Sequence, residues 1–290
     1  METTRSAKLS LITAMVIFGT IGIFRRYIPL SSAMLALVRG AVGTAFLLAL
    51  VHLKGSRADG AAIRKNLLPL CASGAFIGFN WILLFEAYRY TSVATATLCY
   101  YMAPVLVILA SPILFRERLT AKKALCVAAA FAGMVLVSGV LDAGFGGISE
   151  MRGVLLGLGA AVLYATVILL NKFIRGISAY DKTIVQLASA AIVLLPYTLV
   201  TEDWSALEFT PLILVMLLIV GVVHTGWAYA LYFGSISALK TQTVALFSYI
   251  DPIVAILLSA LLLREGMSIL SGIGAVLVLG STLVSELTES

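Results

Sequence analysis

Residues Thr95 to Leu119 read TATLCYYMAPVLVILASPILFRERL, and residues Thr243 to Met267 read TVALFSYIDPIVAILLSALLLREGM. At a fixed offset of 148 residues, Thr95 meets Thr243, Leu98 meets Leu246, Tyr101 meets Tyr249 and Pro104 meets Pro252. Ile108, Ser111, Arg116 and Glu117 meet Ile256, Ser259, Arg264 and Glu265 in the same register. A tyrosine, a proline and an Arg-Glu pair kept in step across an apolar run mark an internal repeat. Each copy reads as an apolar helix with proline in its interior. Proline has no N–H, and its ring crowds the carbonyl four residues back, here that of Tyr100 or Ser248. In water such a helix breaks. In a membrane it is tolerated where neighbouring helices, water or a ligand satisfy the freed carbonyl. Interrupted segments at matching places in two halves point to a ligand site between those halves.

The composition agrees with that reading. Of 290 residues, 61% are hydrophobic and 12% charged, with mean hydropathy +1.07. A soluble domain carries about 25% charged residues. The expected class is an all-α polytopic membrane protein. The net charge of +6 does not signal nucleic acid, because the basic residues stand singly or in pairs between apolar runs. Cys71, Cys99 and Cys126 lie in or beside apolar runs without a CxxC or Cys/His cluster, so neither a disulfide nor a metal site is expected. The first run, Leu9 to Phe24, lacks a small-x-small cleavage pattern and is followed by Arg25-Arg26; it reads as a retained helix.

Apolar runs at 9–24, 28–52, 66–88, 91–115, 124–141, 153–171, 183–201, 210–235, 241–263 and 267–285 predict ten spans. Residues 142–152 form a glycine-rich linker between a first repeat at 1–141 and a second at 153–290. Earlier parts of the repeat match at an offset of 146: Phe18 with Tyr164, Arg26 with Lys172, Ser32 with Ser178 and Trp81 with Trp227. Five spans per copy is an odd number, so the second copy is expected upside down relative to the first. With the N-terminus inside, 14 Lys and Arg fall in inner segments and five in outer ones, namely Arg25, Arg26, Arg89, Arg152 and Arg264. Both termini are therefore expected in the cytoplasm. The Arg-Glu pair is kept through the inversion, which suits a structural tie from the end of the proline helix to a neighbour.

These features resemble the EamA-type transporters of the drug/metabolite transporter superfamily. The likeness rests on the inverted five-span repeat, on Ala87-Tyr-Arg-Tyr-Thr-Ser92 before the first proline helix, and on Ser248-Tyr-Ile-Asp-Pro252 in the second. It covers essentially the whole chain. Asp251 stands where the family usually has glutamate, one methylene longer. The resemblance implies a central cavity, open alternately to each side, and export of amino acids, their derivatives or other small metabolites.

Three ionisable residues fall at one depth, counted at about 1.5 Å per residue from the span ends: Arg39, His224 and Asp251. Each costs about 2.5 kcal/mol or more in a bilayer unless it faces a cavity or a partner. Arg39 either pairs with Asp251 or a helix-end carbonyl as a structural clamp, or holds a substrate carboxylate in its planar fork. Asp251 either accepts hydrogen bonds beside Pro252, or takes a substrate amine or a proton. His224 is a packing residue or a proton carrier. With Arg39, His224 and Asp251, the residues Asn80, Trp81, Tyr100, Tyr101, Tyr164, Trp227 and Tyr249 lie near the same depth and are candidate cavity walls, with Pro104 and Pro252 as hinges. Tyr229 shares that depth. Glu86 with Arg89 reads as a solvated ion pair. The Gly74/Gly78 and Gly153/Gly157 pairs read as close helix packing.

An intramembrane enzyme would rest on His224 and Asp251 alone, since HExxH and GxSxG are absent. A scaffold would not use paired prolines. A multidrug-type cation antiporter wants a carboxylate in the first span of a unit, and a nucleotide-sugar exchanger wants several cavity cations. The expectation is a secondary transporter, working by alternating access, for a small polar or zwitterionic metabolite such as an amino acid or a derivative, in the plasma membrane of a prokaryote. It has no cofactor and no nucleic-acid partner, works as a monomer or homodimer, and has Asp251 or His224 available for proton coupling.

Overall fold

The computed structural model describes residues 2–55, 58–115, 120–137, 148–204, 210–236, 238–239 and 241–287. Among them every regular element is helical. In chain order these are α1 (Glu2–Tyr27), α2 (Ser32–Leu53), α3 (Gly60–Lys65), α4 (Leu67–Tyr90), α5 (Val93–Tyr100), α6 (Ala103–Phe115) and α7 (Ala121–Val137). Then follow α8 (Ile148–Asn171), α9 (Ala179–Thr201), α10 (Pro211–Leu218), a π-helical stretch (Ile219–Trp227), α11 (Ala228–Ile236), α12 (Thr241–Ser248), α13 (Ile250–Leu262) and α14 (Ile269–Leu287). Among the described residues, seven helical stretches are long and apolar enough to cross a membrane, and two shorter apolar helices, Ile250–Leu262 and Ile269–Ser285, accompany them. The run expected at 124–141 is helical as α7 up to Val137, with Lys122 and Lys123 in its first turn. The first Arg-Glu pair, Arg116-Glu117, most of the 142–152 linker and residues 205–209 lie outside the described residues.

Local chemistry sets the ends. Ser31, Ser92, Ser178 and Thr210 cap α2, α5, α9 and α10, each accepting from a backbone N–H three residues on. The matched caps are Ser31 and Ser178, so the 146-residue register that paired Ser178 with Ser32 is out by one. At the far end of α13, Arg264 sits at φ +55° and the Glu265 N–H reaches the Ser259 carbonyl at 3.1 Å. The helix ends with arginine at the left-handed position where glycine is usual, and a wide backbone loop closes back onto Ser259.

The proline helices differ from the single kinked helices expected. The first stops at Tyr100, turns through Tyr101 and Met102, and restarts at Ala103. The second stops at Ser248 and restarts at Ile250. Pro104 and Pro252 thus fall in the first turn of the second piece, where no N–H is needed. The break precedes the proline.

α4 packs on α8 and α9, α2 on α9 and the π stretch, α1 on α13 and α11, α5 on α8 and α13, and α7 on α14. Glycines permit the closest approaches. A Cβ on Gly74 would lie 2.4 Å from the Gln186 carbonyl, and one on Gly157 2.8 Å from Cys99 Cβ. Both glycine pairs are helix contacts.

Candidate functional site: a cavity between the two halves

Elements from both sides of the linker enclose a cavity of about 320 Å³. Its wall includes Arg39 from α2, Asn80 and Trp81 from α4, Tyr100, Tyr101 and Pro104 along the first broken helix, Tyr164 from α8 and Asp251 from α13. Arg39 is buried, and its guanidinium lies 4.2 Å from the centroid of the Trp81 ring. Its Nε donates to Thr225 Oγ1 at 2.8 Å. Thr225 belongs to the π stretch, where its hydroxyl also donates to the Val220 carbonyl five residues back at 3.1 Å. The wider π turn therefore carries the anchor that aims Arg39. Gly221 and Gly226 let this stretch lie against α2, since a Cβ on either would meet Val42 or Phe46 at about 2.5 Å or less.

Across the cavity, the Tyr101 hydroxyl donates to Asp251 Oδ2 at 3.0 Å, and the Ser248 carbonyl lies 3.3 Å from the same hydroxyl. Ser248 is the carbonyl that Pro252 cannot bond. A tyrosine from the first break thus serves the carbonyl freed in the second. Arg39 and Asp251 line one cavity, but no ion pair joins them among the described residues. Pairing of Arg39 with Asp251, one form of the structural clamp, is therefore not what this conformation contains.

Asn80 lines the cavity while its Nδ2 donates to the Ala160 carbonyl at 2.5 Å, tying α4 to α8. Tyr100 and Tyr164 stack with centroids 5.1 Å apart. Three expected wall residues are not in the wall. His224 is buried behind α1, with Nε2 2.8 Å from Thr20 Oγ1 and its ring 4.6 Å from Phe24. The extra residue per turn of the π stretch rotates it away from the opening, and Trp227 is turned outward, 48% exposed. Tyr249 is buried beside Tyr101 at the second break, and Pro252 is buried next to it.

The wall also contains Phe18, Tyr88, Thr97 and Tyr229. Of these, only Tyr229 carries a depth signal in the sequence. Thr97 was legible another way, since 97, 101 and 104 fall on one helix face. Tyr88 donates to or accepts from Thr97 Oγ1 at 3.2 Å.

The Glu86–Arg89 pair forms, with Arg89 Nη1 at 3.1 Å from Oε1. The second Arg-Glu pair is a tie through its glutamate: Glu265 accepts from Arg26 and, at 2.8 Å, from the Val93 N–H at the start of α5. α1, α5 and the end of α13 are joined there.

A helical bundle of membrane-crossing length, holding an arginine and an aspartate in one internal cavity, is an integral membrane protein with a polar interior site. The EamA-like transporter family matches the chain twice, over residues 5–139 and 151–286. The chain belongs to that family. It is 31% identical over 262 residues to an uncharacterized transporter of Bacillus subtilis strain 168, YxxF, covering 87% of this chain and 80% of that one. A second uncharacterized transporter of the same strain, YvbV, is 26% identical over 182 residues, covering 62% of this chain and 59% of that one. A solved crystal structure superposes with a TM-score of 0.68 over 98% of both chains at 20% identity, a likeness of fold. Family and relatives make this chain a transporter and not an enzyme.

Proposed function

We propose that the chain is a secondary transporter that exports a small zwitterionic metabolite, an amino acid or a derivative, from a prokaryotic cell. The observation that carries this is the placement of Arg39 and Asp251 on one cavity wall without an ion pair between them. A buried guanidinium suits a carboxylate. A carboxylate with a single tyrosine donor suits an ammonium group. Aromatic side chains between them cover the apolar part of the solute.

Alternating access would come from rocking of two inverted five-helix repeats, 1–141 and 153–290, in a ten-helix bundle. The packing partners support such a pseudo-two-fold. α4 lies on α8 as α11 lies on α1, while α2 with α9, α5 with α13 and α7 with α14 each pair a segment with its own counterpart. Both termini would be cytoplasmic and the protein a monomer or homodimer.

Proton coupling would use Asp251. The Tyr101 hydroxyl has one proton and two acceptors, Asp251 Oδ2 and the Ser248 carbonyl. A protonated Asp251 donates to Tyr101 Oη, and the tyrosine proton then serves Ser248. Substrate ammonium and proton compete for one carboxylate, which is the condition for exchange. The experiment is uptake and efflux from proteoliposomes against a metabolite panel, with and without a pH gradient. Gradient-driven flux of an amino acid or derivative is expected; no flux of any zwitterion overturns the reading.

A further inference from the structure

A second cavity, of about 500 Å³, lies at the end of the bundle where α1 and α4 finish and α2 begins. Three of its lining residues are Arg25, Arg26 and Arg89, three of the five basic residues on the side expected to face outward. The positive-inside bias runs against them, and they gather in one place. Arg26 is neutralised by Glu265 and Arg89 by Glu86. Arg25 is different. It is 6% exposed, and its Nη1 and Nη2 donate to the Ile28 carbonyl at 2.8 Å and Ser32 Oγ at 3.2 Å. Its Nε is buried without a partner. Glu86 reaches it only through the Ser32 hydroxyl, which donates to Glu86 Oε2 at 2.7 Å. Three guanidiniums against two carboxylates leave one positive charge in excess, and Arg25 is the guanidinium without an ion-pair partner among the described residues. A buried cation left so is costly unless an anion joins it.

The two cavities share one lining residue. Tyr88 lines both, and its hydroxyl is held by Thr97 of the central cavity. Arg39 and Arg25 thus stand on either side of Tyr88, each a buried guanidinium with no carboxylate in ion-pair range.

We propose that Arg25 forms a second anion site, a way station for the substrate carboxylate between the central cavity and the membrane surface, with Tyr88 as the partition. This rests on the transporter reading above. The same chemistry would hold the phosphate of an anionic lipid, and the test separates the two.

Pro29 is an exposed residue of the same cavity. Pro29→Cys, in a chain with Cys71, Cys99 and Cys126 replaced by serine or alanine, would be labelled in phosphatidylcholine nanodiscs. The reagents are an anionic sulfonatoethyl and a cationic trimethylammonium-ethyl methanethiosulfonate. Normalised to a free thiol, the anionic reagent should react about tenfold faster, as a focused positive potential raises local anion concentration. Acetate should slow it saturably, and Arg25→Gln should remove both effects. Arg89→Gln, at an exposed position, is the second variant should Arg25→Gln not fold, and should lower the rate ratio. A ratio no greater than that of the free thiol, or one unchanged by the variants, overturns the proposal. So does suppression of labelling by phosphatidylglycerol nanodiscs with no effect of acetate, which would make a lipid the occupant. Labelling needs no transport, so the site can fail while the central cavity still works, and Arg39→Gln should leave the labelling ratio intact.

Discussion

The two broken helices pause at matching tyrosines, Tyr101 and Tyr249, and restart with proline in the first turn of the next piece. Their chemistry then diverges. Asp251 stands one residue before Pro252, whereas Ala103 stands before Pro104. Aligning the caps Ser31 and Ser178 sets Arg39 opposite Gln186, which is buried and bonds Ser73 and Asn171 rather than a cavity. Trp81 lies under Arg39, while Trp227 faces outward. The repeat keeps the places where the backbone breaks. The two charged residues of the cavity are ones the repeat does not keep, so the segment before the linker supplies the cation, Arg39, and the segment after it the anion, Asp251.

The largest effects are expected where this asymmetry is removed. Arg39→Ala and Asp251→Ala should each fold and lose about tenfold to a hundredfold in substrate affinity, a hydrogen bond to a charged group being worth about 1.5–3 kcal/mol. The double variant should be no better than either. Melting temperature and transport measured on all three decide it, and a double variant with normal transport would restore the structural clamp. Gln186→Ala is the control from the other half: it should lower stability by about 1–3 kcal/mol through its orphaned partners and leave affinity unchanged.

A smaller contrast separates the tryptophans. Trp81→Leu should weaken binding several-fold, since a desolvated cation–π contact contributes up to about 2 kcal/mol. Trp227→Leu, at a half-exposed surface, should stay within about 0.5 kcal/mol of the parent in stability. Equal losses of affinity in the two would mean that Trp81 acts through packing alone. Tyr101→Phe tests the link between the breaks. It removes the one hydrogen-bond donor to Asp251 among the described residues, and the donor to Ser248. Flux driven by a pH gradient should fall several-fold relative to substrate exchange, and an unchanged ratio would separate Tyr101 from coupling.

Repetition and hydropathy made the helical class and the family resemblance legible, and the prolines marked an interruption in each copy, though it falls before the proline as a break and not at it as a kink. Arg39, Asp251 and Tyr101 were legible from depth. Depth alone cannot give rotation about a helix axis, and rotation is why Trp227 is not in the wall and why His224 takes the packing place that was one of its two readings. The π stretch adds a residue to the turn and shifts both side chains around the axis. Its signals, Gly221, Gly226 and Thr225, acquire meaning only beside Val42, Phe46 and Arg39 of α2. Arg25 was legible as a charge on the unfavoured side, but its lack of a carboxylate partner was not.

The smallest expected effect concerns the prolines themselves, and it is unequal. Both lie after the break, so replacing either by alanine should leave the break in place and change stability by about 1 kcal/mol or less. The new amide then has a carbonyl to find. In Pro252→Ala that carbonyl is Ser248, already within 3.3 Å of the Tyr101 hydroxyl. An amide there would take Ser248 and leave the tyrosine proton to Asp251 alone, at 3.0 Å. The carboxylate form is stabilised and a proton is held less tightly, so transport should keep its substrate affinity and shift its pH dependence to lower pH. Pro104→Ala restores an amide toward Tyr100, which is not bonded to Asp251, so its pH dependence should match the parent. Flux measured across a pH series for both variants tests this. Equal shifts would place the origin in the loosened helix ends, and a large loss of transport in Pro104→Ala at unchanged stability would show that proline itself holds the break.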